Sequence, residues 1–148
     1  MDTVINIDGI ILTPLKQIFH PQGNIFHGMK QSDPGYAGFG EAYFSTINHD
    51  EIKPWKKHIE MTLNFIVPIG EIQFVIYDDR PESKTKGNFL KINLCLNNYQ
   101  RLTIPCGVWV AFLGVGKEIN LLLNITNLEH DALEVERTEL SSIKYNWK

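Results

Sequence analysis

The sequence predicts an all-β fold, a barrel or a sandwich, and three observations carry that prediction. Short apolar or alternating runs recur along the 148 residues with turn residues between them, the pattern of an antiparallel β-rich domain. From Trp55 to Phe65 residue type follows parity: Lys56, His58, Glu60, Thr62 and Asn64 are polar, whereas Trp55, Ile59, Met61, Leu63 and Phe65 are apolar, with Lys57 the exception. A later run repeats the theme, with Asn120, Asn124 and Thr126 alternating with Leu121, Leu123 and Ile125, although Leu122 interrupts. Successive side chains on a strand point to opposite faces, so each run reads as a strand with one polar and one apolar face.

Taken in order, Val4–Ile7, Ile10–Leu12 and Ile25–Met29 read as short strands. Leu15, Ile18 and Phe19 fit a single helical turn that ends before Pro21. One Pro and three Gly make Gln31–Gly40 a loop. Glu41–Ile47 is a strand, followed by a polar turn at Asn48-His49-Asp50. A long strand through Val67 turns at Pro68-Ile69-Gly70-Glu71 into Ile72–Tyr77, where Ile72, Phe74 and Ile76 alternate as in a half-buried hairpin arm. Asp78–Gly87 is charged and solvated. Phe89–Leu96, Leu102–Ile104, Val108–Leu113 and Ile119–Thr126 complete the strands, and the charged stretch Glu129–Lys144 forms a short helix or a last strand. One domain spanning 1–148 accommodates all of this, with no internal repeat.

Composition narrows the function. The 43% hydrophobic and 21% charged fractions are those of an ordinary globular protein. A formal net charge of −3 without a basic block argues against a nucleic-acid partner. No apolar run approaches the roughly 18 residues of a membrane span, and the start at Met1-Asp2-Thr3-Val4 lacks the pattern of a signal peptide, so the expected location is cytoplasmic. Cys95 and Cys106 lie in apolar surroundings without CxxC spacing and read as reduced thiols. There is no GxGxxG, no P-loop and no GxSxG, which removes support for redox-nucleotide, ATPase and α/β-hydrolase readings.

The polar face of Trp55–Phe65 is either a solvated surface or the wall of a polar cavity. Asn is poor in strands, so Asn64, Asn120 and Asn124 need compensation, which hydrogen bonding inside a lumen would supply. In such a lumen His58 is the acid–base candidate, because imidazole titrates near neutrality. Lys56 lies about 6–7 Å away along the same face and would favour the neutral imidazole, while Glu60 would pull the other way. Lys53, Lys57 and Arg80 are candidate partners for a diphosphate. Trp109, Tyr43 and Trp55 are candidates for stacking on a base or a sugar ring.

Two fragments add a family resemblance over roughly Glu41 to Glu134. Gly70 ends the first long strand and Pro105-Cys106-Gly107 begins a later one, as in the cupin jelly roll. The run from Gly70 to Arg80, with its alternating apolar residues and Asp78-Asp79-Arg80, is similar to a stretch of the dTDP-4-dehydrorhamnose 3,5-epimerases, as is Ile104-Pro105-Cys106-Gly107 followed by Phe112. The resemblance, which is to a divergent branch of that family with altered His and Tyr positions, implies a cupin-type jelly roll that works as a homodimer in surface-glycan biosynthesis. It implies a metal-independent epimerase or isomerase acting on a nucleotide-linked 4-keto-deoxy sugar, with no cofactor.

The family removes a proton beside a keto group with a His in an Arg-Gly-x-His context and returns one with a Tyr from a later strand. Here Lys53-Pro54-Trp55-Lys56 stands at that context, with Lys56 at the His position and His58 two residues on. The Tyr region falls at Leu128-Glu129-His130. Metal-binding cupins use His-x-His and a later His, where this chain has Lys56-Lys57-His58 and Trp109-Val110. The expected catalytic set is therefore His58, Lys56 and His130, with Lys53, Glu60, Thr62, Asn64, Arg80, Trp109 and Asn124 on the substrate and no metal ligands. The rival reading is a catalytically silent cupin that binds a sugar or nucleotide sugar, or serves as a structural partner.

Overall fold

The computed structural model describes residues 4–148. Twelve strands follow one another: β1 (Ile11–Pro14), β2 (Gln17–Ile18), β3 (Ile25–Phe26), β4 (Glu41–Thr46), β5 (Ile52–His58) and β6 (Leu63–Ile69), then β7 (Ile72–Tyr77), β8 (Phe89–Leu94), β9 (Gln100–Ile104), β10 (Trp109–Gly114), β11 (Leu121–Thr126) and β12 (Val135–Arg137). They form two antiparallel five-stranded sheets. The first runs β1-β9-β6-β11-β4 and the second β12-β5-β10-β7-β8, with β2 and β3 as a separate small hairpin. This is the all-β jelly roll the sequence predicts. Among the described residues no helix is long and apolar enough to cross a membrane.

The core lies between the sheets. From the first sheet come Leu63, Phe65, Leu102, Ile104 and Leu122, and from the second Ile72, Phe74, Ile76 and Val110. Phe65 stacks on Phe74 with ring centroids 5.1 Å apart, fixing the distance between the sheets at the middle of the core. A second apolar cluster covers the outer face of the second sheet. There Trp55 is wholly buried, with Val75 and Ala111, beneath Leu140, Ile143, Tyr145 and Trp147 of the C-terminal segment. Gly70 turns β6 into β7 at φ +81°, where a Cβ would strike the side chain of Asn120.

Trp55–Phe65 is two strands, not one. The chain leaves the second sheet after His58 and enters the first at Leu63. The break is held by groups remote in sequence. Glu134 Oε2 accepts the amides of Glu60 (2.9 Å) and Met61 (2.6 Å), and Asn127 Oδ1 accepts that of Thr62 (2.8 Å). Four amides that a continuous ladder would use are thus taken elsewhere, the fourth being that of Ile59, bonded to Glu134 O.

Smaller differences lie nearer the N-terminus. Val4–Ile7 is not a strand: Asn6 ties it down through side-chain contacts to Phe89 O, and Asn88 donates to Asn6 O. The expected helical turn before Pro21 is replaced by the β2–β3 hairpin. The stretch Glu129–Lys144 holds both alternatives in miniature, two short 3-10 turns flanking β12.

Candidate functional site

At one end of the barrel the sheets part around a cavity of ≈ 200 Å³. Alternation places its walls. Lys56 and His58 face it from β5, and Tyr43 and Ser45 of β4 face it from the opposite sheet together with Leu122 and Asn124 of β11. Leu63, Phe65, Val110 and Phe112 give it an apolar floor, and Val135 and Arg137 of β12 close the flank. A β-bulge explains how Lys53 joins Lys56. The β5–β10 register steps from Lys56↔Val110 to Lys53↔Phe112, three residues against two, so residues three apart share one face. Pro54, unable to donate to a ladder, sits within that bulge.

His58 is oriented by a carboxylate. Its Nδ1 lies 2.7 Å from Glu134 Oε1, and the two side chains are 14% and 10% exposed. An ionised carboxylate only accepts, so Nδ1 donates to it, and in the neutral form of the ring Nε2 is the nitrogen that carries the lone pair. Burial pushes the Glu134 carboxyl up, but hydrogen bonds from His58 and from the Glu60 and Met61 amides outweigh it and hold the group below its ordinary value. The same carboxylate therefore fixes both the imidazole and the turn that ends its strand.

Around this pair the cavity is cationic. Partial burial lowers the Lys56 amine from its ordinary value, and the charges of Arg137 and Lys53 lower it further. Lys53 donates to Thr46 O at 2.8 Å and lies over the Phe112 ring, 5.7 Å from its centroid. On the facing wall Asn124 Nδ2 donates to the Tyr43 phenol oxygen at 3.0 Å. His130 reaches the rim from the loop after β11, its amide held by Glu41 at 2.8 Å.

The structure thus brings Lys53, Lys56, His58, Asn124 and His130 around one cavity. The other expected residues lie elsewhere, each for a physical reason. Glu60 is exposed in the turn between β5 and β6, and Thr62 belongs to the same turn. Asn64 faces the outside of β6, where its Oδ1 accepts from Arg101 (3.1 Å) and Thr103 (2.6 Å). Arg80 is spent on the fully buried Asp78, at 2.9 Å and 3.0 Å, and on Asp8 O. Burial would raise the Asp78 carboxyl, yet hydrogen bonds from Arg80, Ser83 and Thr85 hold it well below the carboxylate range. That cluster pins the 78–88 loop. Trp109 points away from the cavity, its Nε1 donating to Asp79 at 2.9 Å while Lys57 lies over its ring. Asn120 clamps the turns around Gly70 and Gly116 through Glu71 N, Ile47 O and Gly116 O.

Two cavity residues, Arg137 and Tyr43, and the Glu134 carboxylate that holds His58 do not stand out in the sequence. Glu134 and Arg137 lie in the charged stretch that reads equally as a short helix or a last strand, and Tyr43 reads only as a stacking candidate. Their polar types carry a signal, but nothing local marks them as facing His58. Among the described residues no group of three or more His, Cys, Asp or Glu side chains is placed to hold a metal ion.

No family model matches the chain. A dTDP sugar isomerase of Desulfovibrio desulfuricans G20, known as a crystal structure, is 34% identical, with 99% of this chain and 95% of that one covered at a TM-score of 0.94. The probable low-salt glycan biosynthesis epimerase Agl13 of Haloferax volcanii is 35% identical over 89 residues, 59% of this chain and 57% of that protein. The alignment thus spans little more than half the length of this curated relative. The dTDP-4-dehydrorhamnose 3,5-epimerase of Sulfolobus tokodaii shares the fold, with a TM-score of 0.84 at 21% identity, over 99% of this chain and 86% of that one. With near-complete coverage at 34% identity and an almost superimposable jelly roll, the chain belongs to the dTDP-sugar isomerase family and has the jelly-roll fold that the 3,5-epimerases share.

Proposed function

We propose that this chain is a nucleotide-sugar epimerase or isomerase of glycan biosynthesis, acting on a 4-keto-deoxy sugar by proton transfer between side chains without a metal. One observation carries the reading: His58, held by the Glu134 carboxylate, faces a cavity lined by Lys53, Lys56 and Arg137. Carbon acids beside a ketone lose a proton when a base is held at the C–H and a positive group stabilises the developing enolate oxygen. His58 Nε2 is that base, and Lys56, the next cavity-facing residue along β5, is the cation.

Size divides the substrate. A cavity of ≈ 200 Å³ is smaller than the roughly 300–1,000 Å³ that drug-sized ligands occupy, so it takes the sugar ring and leaves the nucleotide outside. Arg137 and Lys53 then serve the diphosphate at the mouth. The apolar floor of Leu63, Phe65 and Phe112 suits a deoxy carbon. The test is solvent exchange. Incubated in D2O with a dTDP-4-keto-6-deoxyhexose, the protein is expected to place deuterium beside the keto group, read by NMR and mass spectrometry. Measurable binding with no exchange into any such sugar overturns the enzyme and leaves the silent cupin.

We also propose a homodimer built on the first sheet, in a cytoplasmic setting that suits the two free cysteines. Tyr43 and Ser45 face the cavity, so Phe44 faces out from the edge strand β4, 66% exposed beside the half-buried Leu123. An edge strand with an apolar outer face is a surface natural proteins cover. Sedimentation should give twice the chain mass for the wild type and the single-chain mass for Phe44→Glu; a monomeric wild type at micromolar concentration refutes the dimer.

A further inference from the structure

A lysine beside a ketone eases loss of the neighbouring proton in one of two ways. As an ammonium it sits near the enolate oxygen. As a free amine it replaces that oxygen, giving an iminium whose positive charge is bonded to the reacting carbon skeleton. Resting on the epimerase reading above, we propose that Lys56 supplies its cation covalently: its amine condenses with the keto carbon of the sugar, and His58 takes the proton from the carbon beside that iminium.

Three observations support the assignment. The first is the charge of the cavity, which Lys53, Lys56 and Arg137 line and no carboxylate does among the described residues. Like charges in one small space disfavour an ammonium. Partial burial and the charges of Arg137 and Lys53 hold the Lys56 amine below its ordinary value, which raises the share of nucleophilic amine.

The second observation is how the neighbouring lysines are partnered. Lys53 donates to Thr46 O at 2.8 Å, and Lys57 lies 3.6 Å from Asp79 and 3.4 Å from Glu136. Lys56 Nζ has neither a hydrogen bond nor an ion pair among the described residues, so no contact must break before it adds to a carbonyl. The third is placement. Lys56 and His58 both face the cavity from β5, about 6–7 Å apart along the strand, so their nitrogens can meet neighbouring carbons of one ring.

The sequence of steps balances without an oxidant. The ammonium sheds a proton, and Nζ bonds to the keto carbon while the C–O bond breaks. The oxygen leaves as water, carrying the shed proton and a second one from the nitrogen. His58 Nε2 then takes the proton of the adjacent C–H bond, and the electron pair forms an enamine that neutralises the iminium. Protonation of that carbon restores the iminium. The water lost in the condensation adds back, releasing the ketone and the lysine.

Reductive trapping and an arginine substitution test this together. Wild type, Lys56→Arg, Lys56→Met and Lys91→Met are mixed with a dTDP-4-keto-6-deoxyhexose. One set contains cyanoborohydride, which reduces an iminium to a stable secondary amine, and a second set is run in D2O to follow exchange. Lys91 is an exposed residue of β8, away from the cavity, and serves as the control. Wild type and Lys91→Met should exchange normally and gain the mass of the sugar nucleotide less one oxygen, mapped by peptide fragmentation to Lys56. Lys56→Arg keeps a permanent charge but cannot condense, so it should give no adduct and lose deuterium uptake about 10²-fold, level with Lys56→Met. Exchange by Lys56→Arg within about threefold of wild type shows that charge alone suffices and overturns the covalent role. So does a wild type that exchanges without an adduct at Lys56, a result that does not depend on how any variant folds; both outcomes leave the epimerase reading in place. A wild type without exchange instead fails the epimerase reading itself, whether or not an adduct forms.

Discussion

His58→Asn is expected to lower deuterium exchange by about 10²–10⁴-fold, the range for a removed general base, while leaving the protein folded. The side chain sits on the cavity wall with one hydrogen-bond partner among the described residues, Glu134, so its loss opens no hole in the core. Glu134→Gln should cost about 10²-fold or more despite conserving shape. An amide can donate to Nδ1, which reverses the tautomer and puts the proton on the nitrogen that must accept one. Lys56→Met should slow the reaction without abolishing it, since it removes a cation from the enolate but leaves the base. The contrary outcome is informative. If His58→Asn exchanges normally and Lys56→Met does not, the base is the lysine, whose amine burial and the charges of Arg137 and Lys53 already lower. Isotope uptake measured for the three variants at equal concentration decides between them.

The parts of this site that were legible in the sequence are those fixed by local alternation. Lys56 and His58 share a face because they are two apart on one strand, and Asn124 faces inward because its neighbours Leu123 and Ile125 do not. The stripe misled where it ran through a break. On β5 the even residues face the cavity, whereas on β6 the odd residues Leu63 and Phe65 do, because the turn at 59–62 changes sheet and phase. The amides of that turn are captured by Glu134, more than seventy residues away, and no local pattern announces such a contact. Lys53 is a candidate on its charge and on its place in the Arg-Gly-x-His context of the resemblance. Its place beside Lys56 comes from the bulge at Pro54. Arg80 and Trp109 have residue types suited to phosphate and base, but each is consumed by a partner away from the cavity, Asp78 for one and Asp79 for the other. Composition names what a side chain can bind, and the register decides what it meets.

Arg101→Met is expected to destabilise the fold by about 3–5 kcal/mol, the range for breaking a buried charged pair, because the outer face of the first sheet is organised around this guanidinium. Arg101 is 0% exposed. Its Nη1 donates to Gly28 O (2.9 Å) and Asp33 Oδ2 (3.2 Å), its Nη2 to Pro34 O (2.7 Å), and its Nε to Asn64 Oδ1 (3.1 Å). Asn64 Nδ2 in turn donates to Gly35 O at 3.1 Å, so the loop from Gly28 to Gly35 is tied to β6 and β9 by one polar network. Methionine fills much of the space but strands carbonyls and a carboxylate that lose their donor. The backbone amide of Lys30 and the charge of Arg101 hold Asp33 below its ordinary value against partial burial. Its contribution to stability is therefore present above the carboxylate range and lost as the pH falls through its depressed value, and in Arg101→Met that acid limb should shrink. Urea denaturation at neutral and acidic pH reads both effects, and a neutral-pH loss below about 1 kcal/mol would rule out the network as the element that holds the loop. The same variant tests what Asn64 is for. Because Asn64 faces away from the cavity, exchange per folded molecule should be unchanged even as stability falls; a matching loss of exchange would return Asn64 to the substrate side of the sheet.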